Sequence, residues 1–195
     1  LDFLIRTSLD AQVSSDRIRS AVSKRPLISY PNNRLAKQLQ LIASMVRANL
    51  PTRVYYASLG GFDTHANQIG SHGNLMKQLG DSLLAFQNDL AKQGNTGKVT
   101  TMVFSEFGRR VAQNGSGGTD HGTAAPMFII GDHIQPGLIG KHPSLSKLDQ
   151  GDLLFSVDFR EVYTSILTDW MGADANKILG KKYKNANIFK KSFNS

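Results

Sequence analysis

Three short polar segments carry the side chains that are best suited to bind a metal ion. They contain Asp63 and His65, then Glu106, then Asp120 and His121. Carboxylate oxygen together with imidazole nitrogen suits zinc, manganese or iron better than magnesium or calcium. Residues two apart in an extended segment, such as Asp63 and His65, point to the same side and can share one ion. Because the chain has no cysteine, a transition metal must be held by His, Asp and Glu.

Each of these segments also has an ordinary structural interpretation. An aspartate after two glycines, like Asp63, is commonly a turn residue. Glu106 can form a local ion pair with the arginines that follow it, and the composition around Asp120 is that of a turn. Of the remaining histidines, His72 is a weaker ligand candidate, whereas His133 and His142 are expected at the surface. The case for chemistry therefore depends on all three segments meeting in space.

The segments lie between predicted helices and strands that alternate along the chain. Apolar residues at helical spacing predict helices at 34–48 and 72–92, and a last helix that begins near Asp158. Short continuous apolar runs predict buried strands at 54–59, 99–104 and 127–130. Because parallel strands need a crossover that is usually a helix, we expect an α/β fold. It would be a mostly parallel sheet with helices on both faces, in a single domain covering residues 1–195.

The strand order places the three polar segments at or beside the carboxyl ends of the predicted strands. In an open α/β sheet, ligands bind in the crevice beyond those ends. We therefore expect Asp63, His65 and His121 to converge on one ion, with Glu106 nearby.

Composition limits the classes of partner. The net charge is +8, and six lysines fall near the C-terminus, at positions 177, 181, 182, 184, 190 and 191. No zinc-finger, RNP-type or helix-turn-helix pattern accompanies this charge, so no nucleic-acid partner is expected. No apolar run approaches the roughly 20 residues that cross a bilayer, so no transmembrane segment is expected.

Four motifs resemble one bacterial family. They are LGGFDTH at 59–65, FSEFGR at 104–109, GTDHG at 118–122 and DFR at 158–160. In this order they resemble the "domain of unknown function 1501" family, which is considered related to sulfatases and alkaline phosphatases. The resemblance implies a partial alkaline-phosphatase-like fold. It also implies that this chain is the C-terminal half of a longer protein, and that the protein is exported or periplasmic.

The same resemblance implies roles for the candidate residues. Asp63, His65 and His121 fit the ligands of one metal ion, which would be zinc or manganese, and Asp120 would support them. Glu106 would either serve a second metal position or support the ligands of the first. At that second position Phe107 replaces the histidine of the wider superfamily. Arg109 would contact the substrate anion. The nucleophile would lie outside these residues.

Two functions remain open at this point. The first is a metal-dependent hydrolase of phosphate or sulfate esters, whose substrate is an anionic small molecule and which is incomplete in this chain. The second is a non-catalytic exported binding or scaffold protein in which the same loops are structural.

Overall fold

Helices and short strands follow one another along residues 2–193, which are the residues that the computed structural model describes. The α-helices are α1 Asp2–Val22, α2 Arg34–Arg47, α3 Gln68–Gln93, α4 Phe159–Ser165 and α5 Ala175–Leu179. The strands are β1 Thr101–Val103, β2 Gly108–Gln113, β3 Thr119–Gly122, β4 Phe128–Ile130, β5 Leu148–Asp149 and β6 Asp152–Leu153. A π-helical segment, Ile166–Trp170, follows α4, and short 3-10 turns occupy Thr96–Lys98 and Lys191–Phe193.

The chain divides into two compact units. The first contains residues up to 64 and residues 69–98, and it is helical. The second contains residues 65–68 and the chain from residue 99 onward, and it holds all six strands.

The helices of the first unit confirm the prediction from apolar spacing. Leu35, Leu39 and Ile42 recur on one face of α2, and all three are buried. Asn33 begins this helix as its N-cap, because its side chain accepts a hydrogen bond of 2.8 Å from the backbone N–H of Ala36. The predicted helix at 72–92 is also present, as part of the longer α3.

The strand predicted at 54–59 is absent. This segment forms no backbone ladder, and the side chains of Val54 and Tyr56 are 66% and 78% exposed. The backbone N–H and C=O of Ser58 instead bond the side-chain amide of Gln38, each at 3.1 Å. One amide side chain thus takes the place of a neighbouring strand here. A continuous apolar run has no periodicity that distinguishes a strand of a sheet from an extended segment without a ladder.

The expectation of a mostly parallel α/β sheet is wrong. The runs at 99–104 and 127–130 do form β1 and β4, but these pair antiparallel, with Met102 opposite Ile129. The residues between them form the β2–β3 hairpin and not a crossover helix, so the chain returns in the opposite direction. All three sheets are two-stranded and antiparallel in the described chain, so the expected alkaline-phosphatase-like architecture is contradicted.

The apolar core of the second unit lies around the C-terminal elements. Val162 on α4 is buried together with Ile188 and Phe189, and the Trp170 ring stacks on Phe189 with centroids 5.9 Å apart. His133 lies against this aromatic cluster, 6.0 Å from the Trp170 ring, so it is half-buried and not a plain surface residue. None of the helices formed by residues 2–193 is both long and apolar enough to span a membrane.

Candidate metal centre

The β2–β3 hairpin positions His121. Arg109 stands opposite His121 in the register, and Gly108 stands opposite Gly122. Both glycines are required by close backbone contacts. A Cβ on Gly108 would lie 1.8 Å from the carbonyl oxygen of Ala124, and one on Gly122 would lie 2.7 Å from the carbonyl carbon of Arg109. The hairpin therefore closes tightly and fixes the strand that carries His121.

The loop that contains His65 is pinned to the turn between β2 and β3. The backbone N–H of Asn67 donates to Ser116 at 3.1 Å, and that of Gln68 donates to Gly117 at 3.0 Å. Gly118 lies so close to this loop that a Cβ on it would stand 2.2 Å from the carbonyl carbon of His65. These contacts place His65 beside β3.

Asp63, His65 and His121 form a group that could hold a metal ion. Their ligand atoms all lie within 4.8 Å of one another, and all three residues are exposed. Tetrahedral zinc with bonds of 2.0–2.2 Å separates its ligands by about 3.4 Å, so modest rotamer changes of exposed side chains would complete the coordination. The predicted convergence of these three residues is confirmed. Glu106 lies exposed in the loop after β1, outside this group.

Asp120 supports His65. Its Oδ1 lies 3.3 Å from Nδ1 of His65, with both side chains largely exposed. A hydrogen bond from Asn114, and next the one with His65, lower the pKa of the Asp120 carboxyl below its ordinary value. Asp120 is therefore an anionic acceptor at neutral pH, and it favours the tautomer of His65 that carries its proton on Nδ1. In this tautomer the lone pair is on Nε2.

Aromatic contacts orient the second histidine. The rings of Phe107 and His121 stack with centroids 3.9 Å apart and planes 9° apart, and the His65 ring lies 4.9 Å from that of His121. Phe107 cannot bind a metal, but it holds the imidazole that can.

Arg109 packs on the Phe107 ring of this stack. Its guanidinium is 5.0 Å from the centre of the Phe107 ring, and its Nη1 donates to the carbonyl oxygen of Thr119 at 2.5 Å. The observed bond holds the guanidinium against β3, the strand that carries His121. The expected contact with a substrate anion stays a prediction.

Sequence reasoning missed the parts played by Asn114 and Phe107. Asn114 begins the turn, and its Oδ1 accepts from the backbone N–H groups of Ser116 and Gly118, at 2.9 and 3.0 Å. An asparagine before a glycine-rich run is a signal for such a turn, because its side chain bonds the backbone two residues on. The stack of Phe107 on His121 follows from the hairpin register, which the sequence pattern did not indicate.

Comparison with known protein families gives a match over most of the chain. A family model described as "Protein of unknown function (DUF1501)" matches residues 11–181. No curated protein and no solved structure matches the chain.

Proposed function

Because the chain belongs to the DUF1501 family, whose function is unknown, we propose its activity from the site itself. The proposal is that Asp63, His65 and His121 bind a divalent cation, zinc or manganese, for the hydrolysis of phosphate or sulfate esters. The observation that carries it is the convergence of one carboxylate and two imidazoles within 4.8 Å. The proposal does not depend on the parallel α/β fold that the structure contradicts.

The residues present fit such an ion by their chemistry. Two neutral imidazoles and one carboxylate are a frequent ligand set of catalytic zinc, which keeps a further position for water or substrate. A bound divalent ion supplies a Lewis acid that polarises an ester oxygen and stabilises the charge that develops on it. Asp120 holds the ring of His65 in the tautomer that leaves Nε2 for coordination.

Arg109 is proposed as the contact for the oxyanion of the ester. A guanidinium offers paired donors to phosphate or sulfate oxygens, which a lysine does not reproduce. Arg109 lies opposite His121 in the hairpin, so a group bound at the metal and this cation would be neighbours.

The nucleophile and any further metal ligands are proposed to come from a part of the protein that precedes these residues. The resemblance of the four sequence motifs to the DUF1501 family supports this proposal, and it also supports the proposal that the protein is exported. On this view the 195 residues bind metal without turning over an ester.

A non-catalytic binding or scaffold protein is the second candidate. Two observations favour it: all three ligand candidates are exposed, and Glu106 lies outside their group. In that case the three side chains are expected to bind no stoichiometric metal.

Calorimetric titration with Zn²⁺ and Mn²⁺ separates the two candidates. The wild-type chain is expected to bind one ion, and His121→Ala is expected to lower the affinity strongly because a direct ligand is lost. His142→Ala is the matched control, since His142 is exposed and lies outside the group. If neither ion binds, the scaffold candidate stands and the hydrolase proposal fails.

The activity is tested on the full-length protein with chromogenic phosphate and sulfate esters. Turnover is expected to require the metal and to fall with His121→Ala. Hydrolysis that survives both chelation and this substitution would contradict the assigned mechanism.

A further inference from the structure

Asn114 uses its whole side chain inside the candidate metal centre. Its Oδ1 accepts the two backbone N–H groups of the turn, as described above. Its Nδ2 donates to the carbonyl oxygen of His65 at 2.9 Å and to Oδ1 of Asp120 at 3.2 Å. A primary amide has two donors and one oxygen acceptor, so all of its bonding groups are engaged.

The two bonds from Nδ2 of Asn114 constrain His65 in two places, at its backbone directly and at its ring through Asp120. One bond holds the backbone carbonyl of His65. The other reaches the Asp120 oxygen that also faces Nδ1 of the His65 ring. Asn114 therefore fixes both the main chain of His65 and the carboxylate against which its ring is oriented.

Moving the ring proton of His65 from Nδ1 to Nε2 would break this arrangement. The carboxylate of Asp120 is held by Asn114, so it stays on the Nδ1 side of the ring. A ring with its proton on Nε2 would direct a lone pair at an anion, and the hydrogen bond to Asp120 would be lost. The arrangement thus selects one tautomer before any ion binds.

We propose that Asn114 is a positioning residue that sets Nε2 of His65 as the nitrogen presented to the metal ion. The inference rests on the proposed metal site, and it adds a residue that touches neither the ion nor the ester. Partners that orient metal-binding histidines commonly contribute about 10- to 100-fold to metal affinity. Loss of the Nδ2 donors is therefore expected to weaken binding by about tenfold or more.

The experiment compares two substitutions at this position. A serine hydroxyl in Asn114→Ser can still accept from the turn N–H groups, but it is too short to reach His65 and Asp120. Asn114→Ala removes the turn bonds as well. Asn176→Ser is the control, because Asn176 is exposed on α5 in the same unit.

Two readouts are measured. The ¹⁵N chemical shifts of the His65 ring in the metal-free chain report which nitrogen carries the proton. Titration with Co²⁺, followed by its visible absorption, reports metal affinity. Wild type and Asn176→Ser are expected to show the Nδ1–H tautomer and the same Co²⁺ affinity, whereas Asn114→Ser is expected to show mixed tautomers and weaker binding.

The possible failures are distinguishable. If Asn114→Ser keeps the wild-type tautomer and Co²⁺ affinity while Asn114→Ala is only less stable, Asn114 merely shapes the turn and the inference is overturned. If the wild-type chain binds no Co²⁺, the proposed function fails, and the ¹⁵N shifts still decide whether Asn114 orients the ring. Unchanged shifts in Asn114→Ser would reject that orienting role as well.

Discussion

The ring of Phe107 lies flat against the imidazole of His121, with centroids 3.9 Å apart and planes 9° apart. A phenyl ring cannot coordinate a metal ion. In this chain Phe107 instead contributes a flat surface that restricts the ring of His121, which belongs to the candidate metal centre. A side chain without ligand chemistry therefore has a physical task beside a candidate ligand.

Phe107→Leu is expected to weaken binding of Zn²⁺ or Co²⁺ by about fivefold. Aromatic pairs of this kind contribute about 0.5–1.5 kcal/mol beyond their buried area, and that energy would no longer hold the His121 ring. Calorimetric titration measures the change. Phe155→Leu is the control, because Phe155 is 63% exposed and belongs to the same unit. Equal affinities for the two variants would show that the stack does not preorganise His121.

Gly118→Ala is expected to destabilise the second unit and to impair metal binding. The added Cβ would stand 2.2 Å from the carbonyl carbon of His65, which is backbone and cannot move aside alone. Overpacking of this kind costs about 1–3 kcal/mol. Urea unfolding gives the change in free energy, and Zn²⁺ titration of the folded variant gives the affinity.

Gly115→Ala is the matched control for this substitution. No atom of any residue beyond its two chain neighbours lies within 4 Å of a Cβ placed on Gly115, and its backbone does not require glycine by a positive φ. Its effect on stability is expected to stay within about 0.5 kcal/mol. If both alanine variants behave alike, the contact between Gly118 and His65 does not hold the loop.

The helices could be predicted from the sequence because their apolar residues repeat at helical spacing. Leu35, Leu39 and Ile42 predicted α2 and are buried there. The run at 54–59 gave no such period, and its backbone found a partner in the Gln38 side chain, 20 positions away. A local sequence pattern does not predict a hydrogen bond between residues so far apart in the chain.

The convergence of the three candidate ligands was predicted, but for a wrong reason. Asp63, His65 and His121 converge as expected, yet no parallel sheet edge brings them together. The hairpin carries His121, and backbone bonds between residues 67–68 and 116–117 hold the loop of His65. The composition of these segments indicated their chemistry, while the hairpin register that arranges them depends on close glycine contacts that the sequence does not reveal.

Asp158→Asn is expected to lower stability by about 0.5–1 kcal/mol near neutral pH. Asp158 caps α4 and pairs with both Nε and Nη2 of Arg160, at 2.8 and 2.5 Å. Asparagine preserves the cap but not the charge. Urea unfolding at a series of pH values measures the difference between the two proteins.

The pH dependence of that difference follows from the pKa. The hydrogen bonds from Arg160 lower the pKa of Asp158 in the folded chain. The stabilisation is therefore full above the unfolded pKa of about 3.9 and is lost as pH falls through the lower folded value. Asp174→Asn is the control, since Asp174 caps α5 through the N–H of Lys177 without an arginine fork in the described chain. A difference that persists unchanged at strongly acidic pH would argue against the ion pair.

Tyr30→Phe is expected to destabilise the first unit by about 1–3 kcal/mol. The Tyr30 hydroxyl donates to Oδ2 of Asp89 at 2.9 Å, and Asp89 is only 2% exposed. Gln93 bonds the other carboxylate oxygen at 2.9 Å, but it does not replace the lost donor. Urea unfolding near pH 7 measures the cost of leaving a buried carboxylate oxygen without this partner.

Alkaline pH should reduce that cost. Burial, and next the hydrogen bond to Asp89, raise the pKa of Tyr30 above its ordinary value. The unfolded chain releases this proton near pH 10 while the folded chain keeps it, so the contribution of Tyr30 is full below that pH and declines above it. The wild-type advantage over Tyr30→Phe should therefore shrink above about pH 10. Tyr56→Phe is the control substitution, because the Tyr56 side chain is 78% exposed. Parallel alkaline curves for wild type and Tyr30→Phe would mean that the Tyr30 hydroxyl is not held by Asp89.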